Sequence, residues 1–63
     1  MKRIFQIIYS INGWEYSVLE VECFELKLDK NDKCTVYADG VKITLGEEIE
    51  EVEEINWFRQ QEK

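Results

Sequence analysis

Histidine is missing from this chain, which removes His-based catalytic triads and the one side chain that ordinarily titrates near neutral pH. Its three glycines stand apart from one another, so there is no glycine-rich loop of the kind that cradles phosphate. Two cysteines without a histidine fall short of the four Cys or His ligands that structural zinc usually takes from a chain. No apolar run approaches the ~18 residues that read as a membrane-spanning helix. After Met1-Lys2-Arg3 the chain alternates through Gln6, Ser10 and Asn12, where a signal peptide would carry an apolar block. These absences predict a soluble, cytoplasmic, non-catalytic protein with no metal or cofactor.

What remains suits one small β-rich domain spanning residues 1–63. A chain of this size buries only about 60 % of the surface its unfolded form exposes. The aromatic share of 13 % supplies much buried area per residue.

Asn12-Gly13 and Asp39-Gly40 are both signals for a two-residue type I′ turn, in which both central positions take φ > 0. Counting outward from the first turn sets Ile11 against Trp14, Tyr9 against Tyr16 and Ile7 against Val18. From the second, Ala38 faces Val41, Val36 faces Ile43 and Cys34 faces Leu45. Every one of these pairs is apolar, and a one-residue slip would turn each side chain to the other face, so the pattern specifies register.

The first strand is expected over Arg3 to Ile11. After Trp14, Tyr16 and Val18 the apolar phase changes to Leu19, Val21 and Cys23, then again to Phe24, Leu26 and Leu28. A β-bulge that sets Val18 and Leu19 both opposite Ile7, and Val21 opposite Phe5, reconciles the first change. Two phase breaks describe a bent strand curling from one half of a small sheet into the other. A three-residue loop, Lys30-Asn31-Asp32, then opposes Leu28 to Cys34, Leu26 to Val36 and Phe24 to Ala38. In that register Cys23 lies several pairs from Cys34, beyond the ~7 Å Cα limit for a disulfide, so both thiols are expected to be free.

Beyond the meander of residues 3–45 the chain becomes acidic. Glu47 to Ile55 consists of good helix formers, and Thr44 three positions before Glu47 resembles a capping box, so a C-terminal helix over about 47–58 is expected. Ile49, Val52 and Ile55 are spaced by three, however, which drifts around an α-helix. A single helical turn followed by a short strand carrying Ile55 and Trp57 is the alternative. The predicted fold is therefore mainly β, an α+β arrangement of four or five curled antiparallel strands. In outline it resembles small SH3-like or Sm-like barrels, with a C-terminal helix or helical turn.

Two surfaces are candidates for function. Glu15, Ser17, Glu20, Glu22, Glu25, Lys27 and Asp29 are assigned to the outer face of the second strand. Side chains on one strand face recur every ~6.6 Å, close to the spacing of successive nucleic-acid phosphates, which permits DNA mimicry. With a net charge of −6 the chain disfavours direct nucleic-acid binding. The same row also serves simply as a solvated face that keeps a small protein soluble. Ile4, Ile8 and Tyr37 are apolar on the nominally outer face, and an exposed first strand would offer a dimer its unpaired edge. Trp57 and Phe58 either close the core or anchor a partner.

The short, acidic, proline-free, Lys/Glu/Ile-rich composition is similar to that of small accessory proteins of phages of low-GC bacteria. The resemblance implies a host-directed or defence-directed inhibitor that works by binding, acting in the host cytoplasm. The expected partner is a protein with a basic, nucleic-acid-binding surface, met by Glu15, Glu20, Glu22 and Glu25 with Ile4, Ile8, Tyr37 and Trp57. An oligomer sequestering a small ligand such as a nucleotide between subunits is the second reading, and a structural or regulatory subunit the third.

Overall fold

The computed structural model describes residues 2–55. Within them the chain is mainly β, with six strands: β1 (Arg3–Ser10), β2 (Tyr16–Cys23), β3 (Leu26–Leu28), β4 (Thr35–Ala38), β5 (Val41–Thr44) and β6 (Glu48–Ile55). They form two antiparallel sheets, ordered β2-β1-β6 and β3-β4-β5. Neither a helix nor a closed barrel occurs among the described residues, which corrects both the helical tail and the barrel outline.

The β4–β5 hairpin forms as its residues dictate. Asp39 and Gly40 take φ of 51° and 84°, and Val36 faces Ile43 while Ala38 faces Val41. Leu45 N–H donates to the Cys34 carbonyl at 2.7 Å, carrying the register one pair further.

The first hairpin differs. Gly13 has φ of 88°, but Asn12 is not in the positive region, so no type I′ turn forms. Residues 11–15 make a five-residue loop in which Ile11 N–H donates to the Glu15 carbonyl at 2.7 Å. That longer loop absorbs the extra residue that a bulge at Val18-Leu19 was expected to hold. The expected pairs Ile7–Leu19 and Phe5–Val21 are present, and the register runs unbroken from Ser10–Tyr16 to Arg3–Cys23. Val18 consequently faces Ile8, on the outer side, and Trp14, Tyr16 and Val18 are exposed.

The predicted bend lies at Phe24-Glu25, between β2 and β3, where the chain passes from one sheet to the other. One carboxylate holds it. Asp39 Oδ1 accepts the N–H groups of Phe24 and Glu25 at 3.0 and 2.9 Å, and Asp39 N–H donates to the Glu25 carbonyl at 2.9 Å.

The β3–β4 loop is longer than three residues, and its register shifts by two: Leu26 faces Ala38 and Leu28 faces Val36. A shift of two preserves the faces, so the apolar pairing survives. Two aspartates explain the length. Asp29 Oδ1 accepts Asn31 N–H at 2.8 Å and Asp32 N–H at 3.1 Å, and Asp32 accepts the Cys34 N–H and thiol and the Thr35 hydroxyl. These bonds satisfy backbone donors that a tighter turn would have paired across the strands.

The acidic tail is strand β6, paired antiparallel to β1. Ile8 faces Glu51 and Tyr9 faces Ile49, leaving Glu50 without an opposite number, a β-bulge. The bulge puts Ile49 and Val52 on one face although they are three residues apart, and Ile55 falls on the other, opposite Ile4. Local helix propensity is overridden because β1 would otherwise leave a row of backbone N–H and C=O groups unpaired beside a buried core. With both sides of β1 occupied, it offers no edge to a dimer. Trp57, Phe58 and the remainder of the expected 47–58 helix lie outside the described residues.

The core sits between the sheets. Ile7, Val36 and Leu45 are buried there, packed by Tyr9, Leu19, Val21, Leu26, Ile43, Ile49 and Val52. Full burial of an Ile, Leu or Val side chain is worth about 1.5–3 kcal/mol. Gly46, at φ 49°, carries the chain from β5 to β6 so close to β1 that a Cβ would run into the Ser10 carbonyl oxygen and the Tyr9 ring.

Candidate interaction surface

The registers of β1 fix what stands on the outer face of the larger sheet. Reading across β2, β1 and β6, its rows are Tyr16–Ser10–Glu48, Val18–Ile8–Glu51, Glu20–Gln6–Glu53 and Glu22–Ile4–Ile55. Glu20, Glu22, Glu51 and Glu53 are exposed, while Ile4, Gln6, Ile8 and Ile55 are half-buried. No lysine or arginine belongs to these rows. With strands about 4.8 Å apart, Glu20 and Glu53 stand about 10 Å apart across Gln6. Along β1 the half-buried Ile4 and Ile8 stand on either side of Gln6, and carboxylates occur on both flanks.

Of the residues chosen from sequence, Glu20, Glu22, Ile4 and Ile8 come together here. Glu15 lies in the first loop, and Ser17 shares the inner side with Tyr9, so neither joins the row. Glu25 is in the bend, 3.8 Å from the ammonium of Lys27. Lys27 and Asp29 belong to the other sheet and its loop. Tyr37 is on the outer face of the smaller sheet, in the row Lys27–Tyr37–Lys42. This second face is mixed in sign, with Lys27 and Lys42 beside Glu25, which pairs with Lys27, and Asp29, which accepts from the Tyr37 hydroxyl. Glu51 and Glu53, the second acidic flank, were concealed by the helical reading of the tail, and only the bulge at Glu50 brings them to this side.

The β3–β4 loop gathers a second set of polar groups. Asn31 N–H, then the Tyr37 hydroxyl at 2.9 Å and Asp32 N–H, hold the Asp29 carboxyl below the usual aspartate range. The Cys34 thiol, the Thr35 hydroxyl and Cys34 N–H do the same for Asp32. In return Asp32 pushes the Cys34 thiol up, and Asp29 pushes the Tyr37 hydroxyl up. A thiol held protonated in this way is a poor nucleophile. All four carboxylate oxygens of Asp29 and Asp32 accept from the chain itself, which makes the cluster a structural one. Cys23 is free and buried, and burial raises its thiol as well.

Among the described residues no group of three or more Cys, Asp or Glu is gathered to hold a metal ion. No helix among them is long and apolar enough to cross a membrane. No family model, curated protein or solved structure matches this chain.

Proposed function

We propose that this protein works by binding and not by catalysis, as an inhibitor that lays the outer face of β2-β1-β6 on a basic, nucleic-acid-binding surface of a protein partner. The observation that carries the reading is the pair of acidic flanks, Glu20 and Glu22 on β2 and Glu51 and Glu53 on β6, set around the half-buried Ile4 and Ile8 of β1. A flat face of this kind offers long-range attraction from its rim and desolvated contact along its centre, the division of labour usual in protein interfaces. Parallel rows of carboxylates at strand spacing present a basic groove with charge laid out much as phosphates are. A phage origin and action in the host cytoplasm fit a chain of this composition.

The test is a pull-down from host lysate at low salt with the parent chain and with E20Q/E22Q/E51Q/E53Q, bound proteins being identified by mass spectrometry. Recovery of a nucleic-acid-binding protein by the parent and its loss with the quadruple variant is expected. The association rate should also fall with added salt, because the Debye length shortens to about 8 Å at 0.15 M. Equal capture by both chains would reduce the acidic face to a solubility device.

A further inference from the structure

We infer that β2 is a self-pairing edge through which two copies of this chain join into one continuous six-stranded sheet, β6-β1-β2 running into β2-β1-β6 of the second copy. The inference does not depend on the partner proposed above.

Among the described residues the edge strands of the larger sheet are β2 and β6; Ile49 N–H of β6 already donates to the Lys33 carbonyl at 2.8 Å, and charge decides against the rest of that edge. Pairing β6 with its own copy about Val52 would set Glu51 opposite Glu53 and Glu50 opposite Glu54. About Glu51 it would set that residue against itself and Glu48 against Glu54. Like charges directly opposite are destabilising, and a charged, bulged strand is how natural sheets close an edge to association. Nothing comparable guards β2, whose residues are Tyr16, Ser17, Val18, Leu19, Glu20, Val21, Glu22 and Cys23. The large exposed apolar residues also gather at this edge. Trp14 and Tyr16 are 77 % and 57 % exposed, and Val18 lies beside them at 52 %.

An isologous antiparallel pairing must match outer face to outer face, so opposed residue numbers sum to an even value. Placing Leu19 on the two-fold axis satisfies this with no carboxylate opposite another. Val18 then faces Glu20 of the second copy, Tyr16 faces its Glu22, and Ser17 faces its Val21 on the inner side. Continued outward, the same register brings Trp14 level with Phe24 of the second copy, itself 53 % exposed. Moving the axis to Glu20 would oppose that residue to itself, and placing it at Val21 would oppose Glu20 to Glu22 twice. An axis at Val18 also avoids like charges but pairs only residues 16–20 of β2, whereas Leu19 pairs residues 16–22, so charge and ladder length together select the register.

Sedimentation equilibrium over a concentration series tests the assembly, with a particle of twice the chain's 7.6 kDa expected. V18E places a carboxylate opposite Glu20 at two symmetric positions and should weaken the dimer by about tenfold or more. V18K should hold or tighten it, and V18E/E20K should restore it. Circular dichroism of each variant monitors the fold, and V41K, changed at a still more exposed apolar site on β5, should dimerise like the parent. In a mixed isotope-labelled sample, intermolecular NOEs should link Val18 to Glu20. A parent chain that stays monomeric, a dimer indifferent to V18E, or intermolecular contacts running through β6 or the smaller sheet would each overturn the inference.

Discussion

Asp39 shows how much one residue can hold in a chain this short. Its positive φ makes the β4–β5 turn, while its carboxylate takes the two N–H groups that the bend at Phe24-Glu25 leaves unpaired. Asp39→Ala should therefore cost about 1–3 kcal/mol, combining lost acceptors with left-handed strain, and Asp39→Asn less than about 1 kcal/mol. Urea unfolding of the two variants beside the parent measures both. The β3–β4 loop predicts a pH dependence with two limbs. Asp29 and Asp32 titrate lower folded than unfolded, so their contribution is complete above the ordinary aspartate value of about 3.9 and is lost as pH falls through the folded values. Cys34 and Tyr37 titrate higher when folded. Their contribution is complete below the ordinary values of about 8.5 and 10 and is lost as pH rises through the folded ones. A urea midpoint followed against pH should fall at both ends, and D29N/D32N should flatten the acid limb.

At the scale of strands, the bulge at Glu50 is the feature most open to test. Deleting Glu50 leaves Ile8–Glu51 and Tyr9–Ile49 as consecutive pairs of an unbroken ladder, so β6 should keep its place beside β1 with Ile49 and Val52 still inward. Cross-strand NOEs from Tyr9 to Ile49 and from Ile7 to Val52 in the deletion variant check this, and their loss would show that the extra residue is needed for pairing. The same bulge explains why the tail has the sequence pattern of a helix and the structure of a strand. Apolar residues three apart suit neither a strand nor a single helix face, and nothing local distinguishes a bulged strand from an acidic helix. Asp39-Gly40, by contrast, was legible because two alternating runs of equal phase flank a turn that needs φ > 0 twice. Asn12-Gly13 looked equivalent, yet the phase of Leu19, Val21 and Cys23 already disagreed with a two-residue loop. The disagreement belongs to the turn, a five-residue loop, and not to the strand interior where a bulge would put it. Half of the acidic face was visible for the same reason that half was hidden: β2 alternates in plain view, while β6 reaches the face only through its pairing with β1.

Taken whole, the molecule is a small sandwich with a net charge of −6; the outer face of the larger sheet carries carboxylates and no lysine or arginine, while that of the smaller sheet has Lys27 and Lys42 among its charges. The ion pairs Arg3–Glu54 at 3.6 Å and Lys27–Glu25 at 3.8 Å join half-exposed or exposed groups and add little to stability. Repulsion across the acidic face should outweigh them at low salt. Screening lengths of about 30 Å at 0.01 M and 8 Å at 0.15 M bracket the roughly 10 Å between its flanks. The thermal unfolding midpoint should accordingly rise between those two salt concentrations. E20Q/E22Q/E51Q/E53Q should begin higher and respond less, and an unchanged midpoint in the parent would mean that the flanks do not repel measurably.

The pairing of β6 with β1 also dictates an order of events in the cell. A ribosome releases β1 first and β6 last of the six strands, so the central strand of the larger sheet emerges with one flank open and stays so while every other strand is made. During that interval β2 can close the first hairpin, and β3, β4 and β5 can form the smaller sheet from neighbouring segments. Ile7 still has no Val52 to lie against. Contacts between distant segments are slow to form, because loop closure has to be met before they return anything. Nascent chains halted before Glu48 should therefore be sensitive to protease and ready to stick to one another through β1, and the arrival of eight glutamate-rich residues would end both conditions at once.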